Sequence, residues 1–199
     1  MKTFALKTVL GKAIAILALT AGSVASSQAG TLTYQGVTFT STWSGKLLTL
    51  EIDAAGRTGD WDSASTIGAL QLKDLGSFSD VTLVSAPGSA TDWTLSSNEL
   101  NANGCGGGAH VGRSLCYSGE RIALTDDMVF QFSFSGGAPA LDAPHLKVNF
   151  FGEGERKVGS LLSQAIAPVP EPQTYALMLG GLGGLGVMGA MARRKRKQV

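Results

Sequence analysis

The sequence predicts an all-β protein, an antiparallel β-sandwich of the jelly-roll-like or immunoglobulin-like kind. Three observations lead to this prediction: hydrophobic and polar residues alternate with a period close to two, clusters of Gly, Pro, Asp and Ser separate the alternating runs, and no long amphipathic helical pattern interrupts them. The alternating part occupies residues 30–167, which is long enough for one domain with one core. The segments before and after residues 30–167 differ from them in composition, and we predict different structures for them.

Three runs carry the strongest strand signal. In K-L-L-T-L-E-I-D (46–53), Leu48, Leu50 and Ile52 fall on one face, because successive side chains of a strand point to opposite sides. The same spacing in V-F-Q-F-S-F and H-L-K-V-N-F produces hydrophobic faces made of Phe130, Phe132, Phe134, Leu146, Val148 and Phe150. Weaker signals predict further strands at 32–40, 69–73, 81–85, 93–96 and 121–125. Half-buried strands of this kind form two sheets with a core between them.

Charged residues are segregated along the chain. Of the 16 Lys and Arg residues, three lie within residues 2–12 and five form the run 193–197, whereas all but one of the 15 Asp and Glu residues lie within 30–168. The body therefore has eight basic and fourteen acidic residues, a formal charge of −6. We expect no nucleic-acid partner, because phosphate binding requires Lys and Arg clustered on one face.

The first 29 residues are predicted to be a secretory signal peptide. Three lysines precede the apolar run A-I-A-I-L-A-L-T-A (13–21), and the small residues of S-Q-A (27–29) follow it. A basic start, a short apolar segment and a small-residue cleavage site are the three parts of such a signal. We predict cleavage after Ala29, so that the rest of the protein acts outside the cytoplasm. The alternative is an amphipathic first helix, but the apolar run has no polar face.

Residues 174–192 are predicted to form one transmembrane helix. They carry no charge, and at about 1.5 Å per residue such a helix is roughly 28 Å long, close to the ~30 Å hydrocarbon thickness of a bilayer. A bilayer favours the helix despite its many glycines, because an unbonded peptide group is costly in lipid. The basic residues that follow match the positive charge expected on the cytoplasmic side: Arg193, Arg194, Lys195, Arg196 and Lys197.

A glutamate between two prolines precedes this helix. Pro170 and Pro172 lack N–H groups, hold φ at about −65° and disfavour helix in the residue before them, so 169–172 is predicted to be extended. Extended backbone is the form that sequence-specific proteases and transpeptidases bind, and Glu171 offers one carboxylate between two rigid neighbours. A plain proline-rich boundary between a domain and its anchor is the alternative.

The sequence V-P-E-P, the Gly- and Leu-rich span after it and the terminal R-R-K-R-K together resemble the carboxyl-terminal signal of the PEP-CTERM family of bacterial exported proteins. The resemblance assigns 168–199 as a sorting signal. It implies that Pro170, Glu171 and Pro172 are recognised, that the span is a transient membrane anchor and that the basic tail stops transfer. It also implies a membrane-embedded exosortase as partner, a final location at the cell surface or in the extracellular matrix, and an association with biofilm and extracellular polysaccharide.

Cys105 and Cys116 are the only cysteines, and they lie in the part of the chain predicted to be exported. A disulfide is the simplest interpretation, because the Gly-rich segment between them has little means of holding its own shape. Closing a loop of about 12 residues stabilises a protein by roughly 3 kcal/mol on a chain-entropy basis. The alternatives are a metal site with His110 or a nucleophilic thiol, but a fourth ligand is lacking and exported thiols tend to oxidise.

Signals for other chemistry are sparse. The only histidines are His110 and His145, and there is no H-E-x-x-H, no G-x-S-x-G and no phosphate-binding loop, so we expect no catalytic residue, resident metal or cofactor. Asp53, Asp60 and Asp62 surround a Gly-containing loop but miss the spacing of calcium loops, and a role as solvated turn residues fits them better. A carboxylate pair for glycoside hydrolysis is testable only by the distance between side chains.

Three functions are compatible with these features. The first is a non-enzymatic exported sandwich with a structural or adhesive role. The second is a carbohydrate-binding module, which requires an exposed row of aromatic side chains drawn from Trp43, Trp61, Trp93 and Tyr117. The third is a surface hydrolase, which requires Asp or Glu side chains that converge in a cleft.

Overall fold

The computed structural model describes residues 28–109, 113–137, 139, 143–160 and 163–169. Within these ranges the chain forms two antiparallel sheets, with three short 3-10 turns and no α-helix. Side chains from both sheets form one cluster of buried hydrophobic residues, so the sheets pack face to face. The predicted all-β sandwich is confirmed at this level. Its assignment to the jelly-roll-like or immunoglobulin-like type stays a prediction.

Six strands form sheet A. They are β1 Gln28–Tyr34, β2 Val37–Ser44, β3 Leu47–Asp53, β5 Asp80–Ser85, β8 Met128–Ser135 and β12 Ala167–Pro168. Their order across the sheet is β12-β1-β2-β3-β8-β5.

Six further strands form sheet B. They are β4 Thr66–Lys73, β6 Thr94–Ser96, β7 Ser114–Ala123, β9 His145–Phe151, β10 Lys157–Ser160 and β11 Gln164–Ala165. The order is β10-β9-β4-β7-β6, and β11 pairs with β9 outside this order. The 3-10 turns lie at Gly59–Trp61, Gly88–Asp92 and Glu153–Glu155.

The core consists of the hydrophobic faces that the alternation predicts. Leu48, Leu50 and Ile52 of β3 are fully buried, and the inward residues of β8 and β9 are at most 3% exposed. Burying one side chain of this size contributes about 1.5–3 kcal/mol relative to leaving it exposed. The three strongest strand signals in the sequence therefore supply much of the stability of the sandwich.

The single strand predicted at 32–40 is wrong, because the chain reverses direction in the middle of it. β1 ends at Tyr34, and Gln35 and Gly36 form a two-residue turn with φ values of +46° and +74° before β2 begins at Val37. Positive φ at both central residues is the geometry of a tight hairpin turn, which glycine adopts without steric cost. Hydrophobic alternation continues across the turn, so the pattern alone predicts one strand where the protein has two.

β7 is longer than its predicted counterpart at 121–125. It begins at Ser114 and includes Cys116, so one of the two cysteines lies in a strand and not in the Gly-rich loop. The last three strands, β10 to β12, have no predicted counterpart. They contain two to four residues each, which is too short for an alternating pattern to be recognised.

Both ends of the described chain lie at one end of the sandwich, which we call the terminal end. At the terminal end of sheet A, Gln28 pairs with Trp43, Leu47 with Ser133 and Asp80 with Ser135. β3 and β7 run away from it, and the loops that follow them meet where the Ala54 N–H donates to the Thr125 carbonyl oxygen at 3.2 Å. We call this opposite end the distal end.

The predicted membrane helix at 174–192 lies outside the described residues, as does nearly all of the predicted signal peptide. In the ranges that are described, no helix is long and apolar enough to cross a membrane. β1 begins at Gln28, two residues before the predicted domain boundary at 30. The division into 1–29, 30–167 and 168–199 stays a prediction.

Candidate functional site

The segment that leads into the predicted sorting motif is paired with the first strand. β12 runs antiparallel to β1, with Gly30 opposite Pro168 and Thr31 opposite Ala167. One residue later, the Val169 N–H donates to the Ala29 carbonyl oxygen at 2.7 Å. The chain therefore reaches Pro170 directly from the edge of sheet A.

Gly30 permits this close pairing. A β-carbon at position 30 would lie 2.8 Å from the Ile166 carbonyl oxygen and 3.0 Å from that of Ala167. Backbone oxygens do not move aside as the end of a flexible side chain does, so a larger residue would push β12 away from β1. Ile166 is itself fully buried in the core, and the body is therefore well packed up to the residue before β12.

The predicted sorting residues Pro170, Glu171 and Pro172 lie outside the described residues, as does the basic cluster at 193–197. Ala29 is described, and it pairs with Thr42 in β2. Cleavage after Ala29 would remove the first two residues of β1 together with the carbonyl group that accepts from Val169. The roles assigned to these residues from the sequence remain predictions.

The predicted disulfide is present in the structure. Cys105 and Cys116 are joined, with their α-carbons 5.8 Å apart. Cys105 belongs to the segment 97–109, which crosses the outer face of sheet B and which we call the cover. With Ala69 and Leu100, the two half-cystines form a small hydrophobic cluster separate from the main core. The disulfide thus fixes the cover to β7 as well as closing a loop.

Two buried amide side chains lie under the cover. Gln71 and Asn149 are almost fully buried, and buried polar groups in proteins are usually hydrogen-bonded. The Leu100 N–H donates to Gln71 Oε1 at 3.0 Å, and Asn149 Nδ2 donates to the Asn101 carbonyl oxygen. Sequence analysis missed both residues. The signal that could have identified them is an amide, not a charged side chain, at an outward position of a central strand.

Glu99 connects the cover to two neighbouring strands. Its carboxylate oxygens lie 3.1 Å from Lys73 Nζ in β4 and 2.8 Å from Lys147 Nζ in β9. The lysine side chains are 19% exposed and that of Glu99 is 27% exposed, so water and salt screen the contacts only partly. Hydrophobic, amide and ionic contacts therefore hold the same segment in place.

The aromatic residues considered for sugar binding belong to the core. Exposed fractions are 1% for Trp43, 0% for Trp61, and 4% for both Trp93 and Tyr117. Trp61, for example, packs edge-on against Phe150 with ring centroids 4.7 Å apart. The exposed row that carbohydrate binding through these four residues requires is therefore absent from the sandwich.

Tyr117 links the two sheets through the core. Its hydroxyl donates to the Val81 carbonyl oxygen of β5 at 3.4 Å, while its ring packs against Phe132. Burial raises the pKa of Tyr117 above its usual value of 10.0, because removal from water penalises the charged phenolate. A hydrogen bond from the backbone at Leu83 opposes this shift, and the nearby charge of Asp80 adds to it.

Two grooves lie beside the distal part of sheet B. One, of about 580 Å³, contains Arg121, whose guanidinium group lies 3.8 Å from the centre of the Phe151 ring. The other, of about 500 Å³, contains Glu153 and Arg156. Lys157 lines both. Among the described residues, neither lining contains the pair of carboxylates that glycoside hydrolysis requires.

The aspartates considered for calcium binding occupy turns. Asp53 Oδ1 accepts a hydrogen bond from the Ala55 N–H at 3.0 Å, and Asp60 and Asp62 are exposed around the Gly59–Trp61 turn. Over the ranges described, no group of three or more His, Cys, Asp and Glu side chains could hold a metal ion. These contacts favour the turn role. His110, the ligand considered for a metal site with the cysteines, lies outside the described residues.

Comparison with known proteins identifies the carboxyl-terminal segment. The family model for the PEP-CTERM protein-sorting motif matches residues 168–197, so the match begins in β12 and continues through Pro170, Glu171 and Pro172 into the basic tail. No curated protein and no solved structure matches the chain significantly. The motif indicates an exported protein with a membrane-anchored precursor that an exosortase sorts to the cell surface. The chain therefore carries a PEP-CTERM protein-sorting motif, and this motif begins on the edge strand of a β-sandwich.

Proposed function

We propose that the protein is a non-enzymatic component of the cell surface or extracellular matrix, in which the sandwich is the delivered part and the carboxyl-terminal segment is its sorting signal. The observation that supports the proposal is that the sandwich and the sorting signal are joined directly, with no linker between them. The sorting motif begins at Pro168, and Pro168 is paired with Gly30 in sheet A. The exosortase therefore meets its motif at the edge of a folded domain.

A structural or adhesive role is consistent with the outer face of sheet A. Thr38, Thr40 and Thr42 of β2 alternate with buried residues and are partly exposed. Hydroxyl groups both donate and accept hydrogen bonds and carry no charge, so this face suits contact with a hydroxyl-rich polymer. We propose extracellular polysaccharide, in a biofilm setting, as the partner.

Co-sedimentation of the mature protein with the exopolysaccharide of its native host tests this partner. Protein that stays in the supernatant would contradict the adhesive role. The same samples test the non-enzymatic part of the proposal, because the described residues that line the two grooves include no carboxylate pair and should not cleave glycosidic bonds. Release of new reducing ends from the polymer would favour the hydrolase alternative.

The sorting route is tested at Glu171. Replacing it by Ala removes the one carboxylate of the motif, so Glu171→Ala precursor should stay unprocessed in the membrane. Gln173→Ala, just outside the Pro-Glu-Pro motif, is the matched control and should be processed normally. Mass spectrometry of the mature carboxyl terminus, with membrane fractionation in the native host, measures both variants. Normal processing of Glu171→Ala would favour a plain proline-rich boundary before the anchor.

A further inference from the structure

We propose that the terminal end of the sandwich rests on the anionic headgroups of the bilayer in the precursor, with the β2–β3 turn at Gly45 and Lys46 facing the lipid. The inference rests on the proposed sorting route, since it needs the membrane anchor. It adds an interaction surface on the folded body and names its partner, an anionic lipid surface.

The first argument is the length of the tether. Val169 is hydrogen-bonded to Ala29 at the terminal end, and only residues 170–173 separate it from the predicted anchor that begins at 174. Five residue steps of fully extended chain span at most about 18 Å. On the amino side, residues 22–27 separate the predicted apolar run from Gln28. While these apolar segments remain in the bilayer, the terminal end is held close to its surface.

The second argument is the shape of the exposed turn. Gly45 has φ +60°, and a β-carbon built on it would have no neighbour within 4 Å, so the turn projects into open space. Lys46 is exposed in the same turn, while its carbonyl oxygen accepts from the Phe134 N–H at 2.9 Å. The backbone of the turn is thus fixed while its ammonium group is available to a partner.

The third argument is the difference in charge between the two ends. At the terminal end, cations slightly outnumber carboxylates: Lys46, Lys73, Lys147 and Arg113 against Asp74, Asp80 and Glu99, with Glu99 paired to Lys73 and Lys147. Asp74 also contacts His145 at 2.7 Å. At the distal end, carboxylates outnumber cations: Asp53, Asp60, Asp62, Asp126, Asp127 and Glu153 against Arg57, Arg121, Arg156 and Lys157. An anionic surface attracts the first end and repels the second, which reinforces the orientation set by the tether.

The test uses the full-length precursor in vesicles of phosphatidylcholine with phosphatidylglycerol, and in vesicles of phosphatidylcholine alone. A membrane-impermeant amine reagent labels the protein, and mass spectrometry gives the ratio of Lys46 to Lys157 labelling. Lys157 is exposed in the distal part of sheet B and is an internal control. We expect the ratio to fall about fivefold in the anionic vesicles, because the attraction of one lysine to an anionic surface corresponds to an equilibrium constant of about that size. Equal ratios in the two kinds of vesicle would overturn the inference.

A second readout does not depend on labelling Lys46. Hydrogen exchange of the turn amides at 44–47 should slow in anionic vesicles, and Lys46→Glu should abolish this slowing while Lys157→Glu leaves it intact. Slowing that persists in Lys46→Glu overturns the lipid contact. Slowing that appears only when an exosortase is co-reconstituted also overturns it, in favour of a protein contact. Flotation separates the two proposals: precursor that does not float with vesicles contradicts the anchor, whereas floating precursor with an unprotected turn contradicts only this inference.

Discussion

The outer faces of the two sheets start from the same sequence pattern and differ in the folded protein. On sheet A, the outward threonines of β2 are partly exposed to solvent. On sheet B, the outward Gln71 and Asn149 are almost fully buried, because the cover lies over them and is joined to β7 by the disulfide. Alternation along a strand therefore determines which side chains face the core. A distant loop determines whether the opposite face is also buried.

Removing the disulfide should have the largest effect on this difference between the outer faces of the two sheets. We expect the double variant Cys105→Ser, Cys116→Ser to lose roughly 3 kcal/mol of unfolding free energy, because the unfolded chain gains loop entropy. The cover should also detach from sheet B more readily. Thermal melting and limited proteolysis at 97–109 measure the two effects, with reductant-treated wild type as the control. An unchanged melting curve would contradict the proposed role, and sorting should be unaffected.

A matched pair of glutamine substitutions should give the next largest effect. Gln71→Ala leaves the buried Leu100 N–H without its acceptor and should cost about 1–3 kcal/mol. Gln131→Ala on the outer face of sheet A loses a weak 3.4 Å contact with Thr49 and should stay within about 0.5 kcal/mol of wild type. Urea unfolding of both variants measures the difference. Equal losses would mean that the cover does not make the two outer faces energetically different.

The smallest effect should appear at high pH and concern the interior that both sheets share. Burial raises the pKa of Tyr117, so its contribution to stability is complete below pH 10.0 and is lost as the pH rises through the folded-state pKa. Tyr117→Phe keeps the ring and removes the ionisable hydroxyl. Urea unfolding at neutral pH and above about pH 10 should show a smaller alkaline loss for this variant than for wild type. An equal loss in both proteins would contradict the assignment to Tyr117.

The sequence predicted the sorting signal more completely than it predicted the strands. The sorting motif is read from linear order, spacing and composition, so the sequence alone was sufficient to recognise it. The β1–β2 hairpin was not recognised, because a two-residue turn at Gln35 and Gly36 leaves the hydrophobic alternation unbroken. The binding role considered for the tryptophans was wrong, because an aromatic residue in an alternating strand has the same sequence pattern whether it faces the core or the solvent.

The sequence by itself determined the all-β class, the inward faces of the main strands and the motif at 168–197, since each depends on residues that are close along the chain. Only the tertiary structure decided that the cover buries Gln71 and Asn149 and that Val169 lies beside Ala29. Val169 and Ala29 are separated by nearly the whole body, and local periodicity carries no information about such a contact. Long-range pairing depends on how the two sheets pack around one core. This packing brings Pro168, where the sorting motif begins, beside the start of the first strand.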